Sequence, residues 1–102
     1  MDPENLLENC TGFEWDDGNV DKNRERHRVS FCEAEEIFFN EPLVIAADRE
    51  HSKQEPRFLA LGQTDSGRPL FISFTIRGPL IRVISARDMT RKEVSSYENK
   101  KK

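Results

Sequence analysis

Apolar positions in the middle of the chain recur every three to four residues, and beyond Pro42 they recur every two. Phe31, Ala34, Ile37 and Phe38 form a stripe at helical spacing. Ser30 and Glu33 have the spacing of a capping box ahead of it, with Val29 and Ala34 at the staple positions. Glu33, Glu35 and Glu36 sit in the first turns, where the helix dipole favours acidic side chains. This helix is expected to end near Asn40, because Pro42 bars helical geometry at Glu41. Upstream, Asp16 to Arg28 is strongly polar and reads as a first helix from about Asp17 to His27, capped by Asp16 or Asp17. Val20 is its clearest apolar member, and Asn23, Arg24 and His27 share that face. Gly18 weakens the helical reading.

Past Pro42 the pattern is that of strands. Leu43 to Ala47 and Arg57 to Leu61 read as the first two, joined by a polar connection that holds His51. Thr64-Asp65-Ser66-Gly67 is a turn with glycine in last position. Leu70, Ile72, Phe74 and Ile76 then alternate with Phe71, Ser73, Thr75 and Arg77. Gly78-Pro79 breaks the run, and Leu80 to Arg87 is a further strand. Thr90 with Glu93 repeats the capping-box spacing, opening a last helix that Val94 and Tyr97 can dock on the sheet. The expected architecture is therefore α+β: two N-terminal helices, a four-stranded antiparallel sheet and a C-terminal helix. Residues 1–12 read as a flexible leader, 13–98 as one domain and 99–102 as a frayed basic tail. Phe13-Glu14-Trp15 is either a short strand or an aromatic anchor.

Composition adds a charge asymmetry. The 102 residues are 35% hydrophobic and 34% charged, with a net charge of −3. Residues 1–50 hold 14 acidic and 5 basic side chains, whereas residues 51–102 hold 5 acidic and 11 basic. Such a basic half suits phosphate or an acidic partner. The N-terminus lacks the basic and apolar regions of a signal peptide, and no run is long enough to span a bilayer, so a cytoplasmic location is expected. Cys10 and Cys32 form no ligand motif, and free thiols are the simpler reading. There is no glycine-rich phosphate loop, and His51 with Glu55 lacks a third ligand at useful spacing, so no metal or other cofactor is expected.

Candidate chemistry lies in the arginines and histidines. Strict alternation puts Leu80, Arg82, Ile84 and Ala86 on one face and Ile81, Val83, Ser85 and Arg87 on the other. Arg57, Arg77, Arg82 and Arg87 then read two ways. They form a guanidinium cluster able to fork phosphate oxygens, or they are paired with carboxylates such as Glu14, Glu36 and Glu55 in structural roles. His51 precedes Glu55 by four residues, the makings of a proton-transfer pair or of a loop tie. His27 reads as a cap or packing residue with a catalytic alternative. Tyr97 is a core residue, a base stack or a general acid. Trp15 is an anchor or a stacking platform.

Taken in order, these residues resemble a family. Phe13-Glu14-Trp15-Asp16, Asn23, His27, Val29-Ser30-Phe31 and Glu33-Ala34 resemble the opening of BrnT toxins. Asp48, His51-Ser52, Glu55, Arg57, Gly62, Thr64, Gly67-Arg68, Leu70, Phe74-Thr75, Arg77, the run Ile81 to Arg87, Glu93 and Tyr97 continue the likeness over about residues 12–98. The resemblance implies a RelE-like ribonuclease toxin of a type II toxin–antitoxin module that cuts RNA without a metal. It implies a ribbon-helix-helix, BrnA-like antitoxin, with operator DNA reached only through that partner. On this reading Arg57, Arg77 and Arg82 hold the phosphate and its transition-state charge, and His51 and Glu55 move protons. His27, Tyr97 and Arg87 stand in reserve. Two positions depart from the family pattern: Asn19 where lysine is common, and Arg28 where glycine is common. A catalytically weakened RNA-binding or protein-interaction domain of the same fold is the alternative.

Overall fold

The computed structural model describes residues 6–18, 27–51 and 54–101. Its elements are β1 (Gly12–Phe13), α1 (Phe31–Glu36) continued by a 3-10 turn (Ile37–Phe39), β2 (Val44–Ala47), a second 3-10 turn (Arg49–His51), β3 (Phe58–Gln63), β4 (Pro69–Arg77), β5 (Leu80–Asp88) and α2 (Arg91–Lys101). The sheet order is β1-β5-β4-β3-β2. β2 to β5 form an antiparallel meander, and β1 joins its far edge parallel to β5.

This corrects the expected architecture. The sheet has five strands and is mixed, not four and antiparallel. Among the described residues there are two α-helices, one ahead of the meander and one after it, in place of two N-terminal helices and one C-terminal. The expected helix from Asp17 to His27 falls mainly on residues 19–26, outside the described residues. The fifth strand was left as one of two options for Phe13-Glu14-Trp15 and out of the sheet, because two residues cannot show a two-residue period. Backbone bonds recruit it: Thr11 donates to the Pro79 carbonyl at 2.8 Å and Glu14 to that of Ile81 at 2.9 Å. Leu6, Leu7 and Cys10, in the stretch read as a leader, pack against the core. Both cysteines are free thiols.

Local chemistry sets the elements. The Ser30 hydroxyl accepts from the Glu33 amide at 3.1 Å, and the Glu33 carboxylate accepts from the Ser30 amide at 3.2 Å, closing the capping box of α1. In α2 the Thr90 hydroxyl accepts from the Glu93 amide at 3.2 Å and the Glu93 carboxylate from the Thr90 amide at 2.8 Å. The α1 stripe and one sheet face meet in a core of Val29, Ala34, Ile37, Ala60, Leu70, Ile72, Phe74, Ile81, Val83 and Ala86. Gly62 permits the close approach of Ile37, since a Cβ there would stand 2.9 Å from Ile37 Cβ. Tyr97 is buried apart from this cluster. Its hydroxyl donates to the Pro42 carbonyl at 2.6 Å, tying α2 to the segment ahead of β2.

The register of β4 on β5 positions the arginines. Ser73 pairs with Ser85 but Phe74 pairs with Val83, so Ile84 is an extra residue in β5. Such a bulge reverses the alternation of everything beyond it. Ile81, Val83 and Ala86 all face the core, and Arg82 and Arg87, opposite Thr75 and Phe71, share the other face. Arg77 pairs with Leu80, which alternation places beside Arg82, so three of the four arginines stand on one side of the sheet.

Candidate functional site

The non-core face opens at the end of the meander where β3 begins and β4 ends. His51, Glu55, Arg57 and Arg77 line an open cleft of about 760 Å³ there, together with Glu50 and Gln54. Glu55, Arg57 and Arg77 also line an adjoining depression of about 280 Å³ that Arg82 completes. The five residues read from sequence as the catalytic set thus border two adjoining hollows. Backbone geometry holds them there. The buried Thr75 hydroxyl donates to the Pro56 carbonyl at 2.6 Å, fixing the approach to β3 against β4. The Asp48 amide donates to the Arg57 carbonyl at 2.9 Å, tying the far side of the His51 turn to the same point.

The expected His51–Glu55 pair is not formed, while Glu14 and Glu55, two of the carboxylates weighed as arginine partners, do hold arginines. Glu55 does not partner His51. It accepts from Arg77 Nη2 at 3.2 Å and from Arg77 Nε at 3.4 Å. His51 Nδ1 lies 2.9 Å from Asp48 Oδ2, three residues back across a 3-10 turn. A carboxylate in that position accepts from Nδ1–H, which leaves proton exchange with a substrate to Nε2. The His51 side chain is 61% exposed and so within reach of a solute. Arg82 is 18% exposed, with Glu14 at 3.4 Å and Asp16 at 2.8 Å. Arg77 also reaches Glu14, at 3.6 Å. Glu55, foremost, and then Glu14 raise the Arg77 guanidinium above its ordinary range.

The reserve residues lie elsewhere. His27 and Arg87 line a separate hollow with Arg28, Asp88, Met89 and Thr90. Arg87 stands over the Phe71 ring at 4.1 Å and grips Glu93 with two bonds of 2.8 and 3.1 Å. Tyr97 is held by Pro42, and burial, followed by Glu98, pushes its phenol up, away from proton exchange near neutrality. Trp15 donates to Glu35 at 2.6 Å and tilts against Phe31, the arrangement of an anchor.

One arginine carried no role in the sequence reading. Arg68, just after the Gly67 turn, donates to Asp88 at 2.7 and 3.0 Å, to Glu33 at 3.0 Å, and to the carbonyls of Arg28 and His27 at 3.1 and 3.4 Å. It locks the α1 cap, the end of β5 and the turn at Arg28 together. That turn has positive φ, +54° at Arg28, a conformation that glycine adopts without cost. Asn19 is outside the described residues. No helix among the described residues is long and apolar enough to cross a membrane.

The fold is a small α+β domain that gathers guanidinium, imidazole and carboxylate groups at one end of its sheet, groups whose chemistry suits a phosphodiester. Residues 15–93 match the family model described as ribonuclease toxin, BrnT, of type II toxin–antitoxin systems, and the chain belongs to that family. It is a ribonuclease toxin whose system includes an antitoxin. Comparison with curated proteins finds no match.

Proposed function

We propose that this cleft is the place where the toxin cuts RNA, by acid–base catalysis without a metal. Arg57, Arg77 and Arg82 hold one phosphodiester and stabilise the charge that builds on its oxygens. His51 and Glu55 share the proton work: one removes the 2′-hydroxyl proton and the other protonates the leaving 5′-oxygen. A positioned proton donor or acceptor contributes about 10²–10⁴ in rate, and a well-aimed donor to developing charge about 2.7–4 kcal/mol. The observation that carries this reading is that His51, Glu55, Arg57 and Arg77 border one cleft. The long Arg77–Glu55 contacts support it too. At 3.2 and 3.4 Å they exceed the usual charge-assisted length and can yield to phosphate.

The antitoxin of this reading is a ribbon-helix-helix, BrnA-like protein that covers the toxin and carries the pair to operator DNA. A second reading, RNA binding with little or no cleavage, draws on the Arg82–Asp16 contact of 2.8 Å, which a phosphate must displace. Single-stranded RNA incubated in EDTA with the chain freed of its antitoxin separates the two. Fragments ending in 2′,3′-cyclic phosphate, lost in Glu55→Gln and His51→Ala, are expected. RNA retained intact would favour the second reading, and cleavage that needs added metal would overturn the first.

A further inference from the structure

Glu14 follows β1 directly, and its amide bond to the Ile81 carbonyl fixes its backbone alongside the start of β5. Its Oε1 stands 3.6 Å from Arg77 Nη1 and 3.4 Å from Arg82 Nη1. One carboxylate oxygen therefore lies between two guanidinium groups from neighbouring strands. Glu55 is bonded to Arg77 and Asp16 to Arg82. Among the described ion pairs, Glu14 is the carboxylate that joins these two arginines.

The segment that carries it is well anchored. Phe13 packs edge-on against Phe38 with centroids 5.6 Å apart, and Trp15 is tied to Phe31 and Glu35. The alternate residues Glu14 and Asp16 meet the arginines. Two adjacent cations repel, and each long arginine side chain loses rotamer freedom on being aimed. A fixed carboxylate between them offsets both costs before substrate arrives.

We propose that Glu14 is a positioning residue of the toxin, holding the Arg77 and Arg82 guanidinium groups as one pair aimed at a single phosphodiester. The proposal rests on the reading of the cleft as the RNA-cutting site. Glu14 touches no reacting atom and acts through the two arginines. Its replacement by glutamine keeps the size, removes the charge and leaves the cleft more positive. Attraction for RNA is then held or increased while the aim is lost.

The test uses the full chain separated from its antitoxin and a single-stranded RNA oligonucleotide in EDTA. kcat, KM and the melting temperature are measured for wild type, Glu14→Gln, Glu14→Asp, Arg77→Ala and Arg82→Ala. Glu14→Gln is expected to lose about 10- to 100-fold in kcat, the scale of a small misplacement of a catalytic group. Its KM stays unchanged or falls, its melting stays close to wild type, and Glu14→Asp recovers part of the loss. A Glu14→Gln kcat within twofold of wild type overturns the proposal, whether KM tightens, as for a carboxylate that merely competes with phosphate, or melting falls, as for a purely structural one. Full activity in both arginine variants strikes the cleft reading itself. Loss in both with an intact Glu14→Gln strikes Glu14 alone.

Discussion

Arg82 on β5 lies directly opposite Thr75 on β4, and the two hold the site from different directions. Arg82 supplies a largely buried cation. Thr75, fully buried, uses its hydroxyl to pin the Pro56 carbonyl and hence the start of β3. Thr75→Val keeps the shape but deletes that donor, leaving a carbonyl without its partner. A destabilisation of about 1–3 kcal/mol is expected, read by denaturant unfolding. A drop in RNA cleavage should accompany it at temperatures where the variant remains folded, because Arg57 follows Pro56 directly.

Arg28 sits at φ +54°, in the left-handed region that costs a residue with a Cβ. Glycine adopts that conformation without the Cβ conflict. Arg28→Gly keeps the carbonyl that Arg68 uses and should stabilise the fold by about 1 kcal/mol. A rise in melting temperature of about 4–8 °C is the corresponding thermal readout.

Arg68 links three parts of the chain, and its carboxylate partners make stability depend on pH. The Arg68 guanidinium holds the Asp88 carboxyl below its usual range. Burial pushes Glu33 up, but the Ser30 amide and Arg68 outweigh it and leave it lowered. Arg87 lowers Glu93. A carboxyl with a depressed native pKa binds protons more weakly folded than unfolded. Its contribution is fully present above the ordinary carboxyl range and is lost as pH falls through the native values. Unfolding free energy should therefore hold near neutrality and decline below about pH 4. Arg68→Ala should lower stability at pH 7 by about 1–2 kcal/mol, the partners being partly exposed. It should also flatten the acid decline, as followed by urea unfolding across pH.

Tyr97 separates stability from chemistry. Tyr97→Phe removes the 2.6 Å bond to the Pro42 carbonyl. A loss of about 1–2 kcal/mol in unfolding free energy is expected. kcat on RNA should not change on the folded protein, since Tyr97 borders neither hollow of the site.

Much of the frame was legible because it rests on local rules. The stripe from Phe31 to Phe38, the Ser30–Glu33 and Thr90–Glu93 boxes, the Gly67 turn and the alternation from Leu70 to Arg77 depend on neighbours in sequence. β1 was legible only as one of two options for Phe13-Glu14-Trp15, and its place in the sheet was not, being two residues held by backbone bonds to a strand almost seventy positions away. Nor was the extra residue Ile84. An apolar residue inside an apolar strand gives no sign that it bulges, and strict alternation therefore separated Arg82 from Arg87. The cluster of arginines around His51 was readable as a set of residue types. Its pairings were readable in part: Glu14 and Glu55 stood among the carboxylates able to hold the arginines, but Asp48 takes His51 because a 3-10 turn brings position 48 back under position 51. Arg68 passed without a role because its partners are scattered over more than sixty residues.

The arginine trio decides the matter most directly. In EDTA, with antitoxin removed, cleavage of a single-stranded RNA is compared between wild type, the Arg57→Ala/Arg77→Ala/Arg82→Ala triple variant and the exposed control Lys92→Ala. The account predicts that the triple variant, still folded by circular dichroism, cuts at no more than about a hundredth of the wild-type rate while Lys92→Ala cuts normally. Undiminished cutting by the folded triple variant would contradict it.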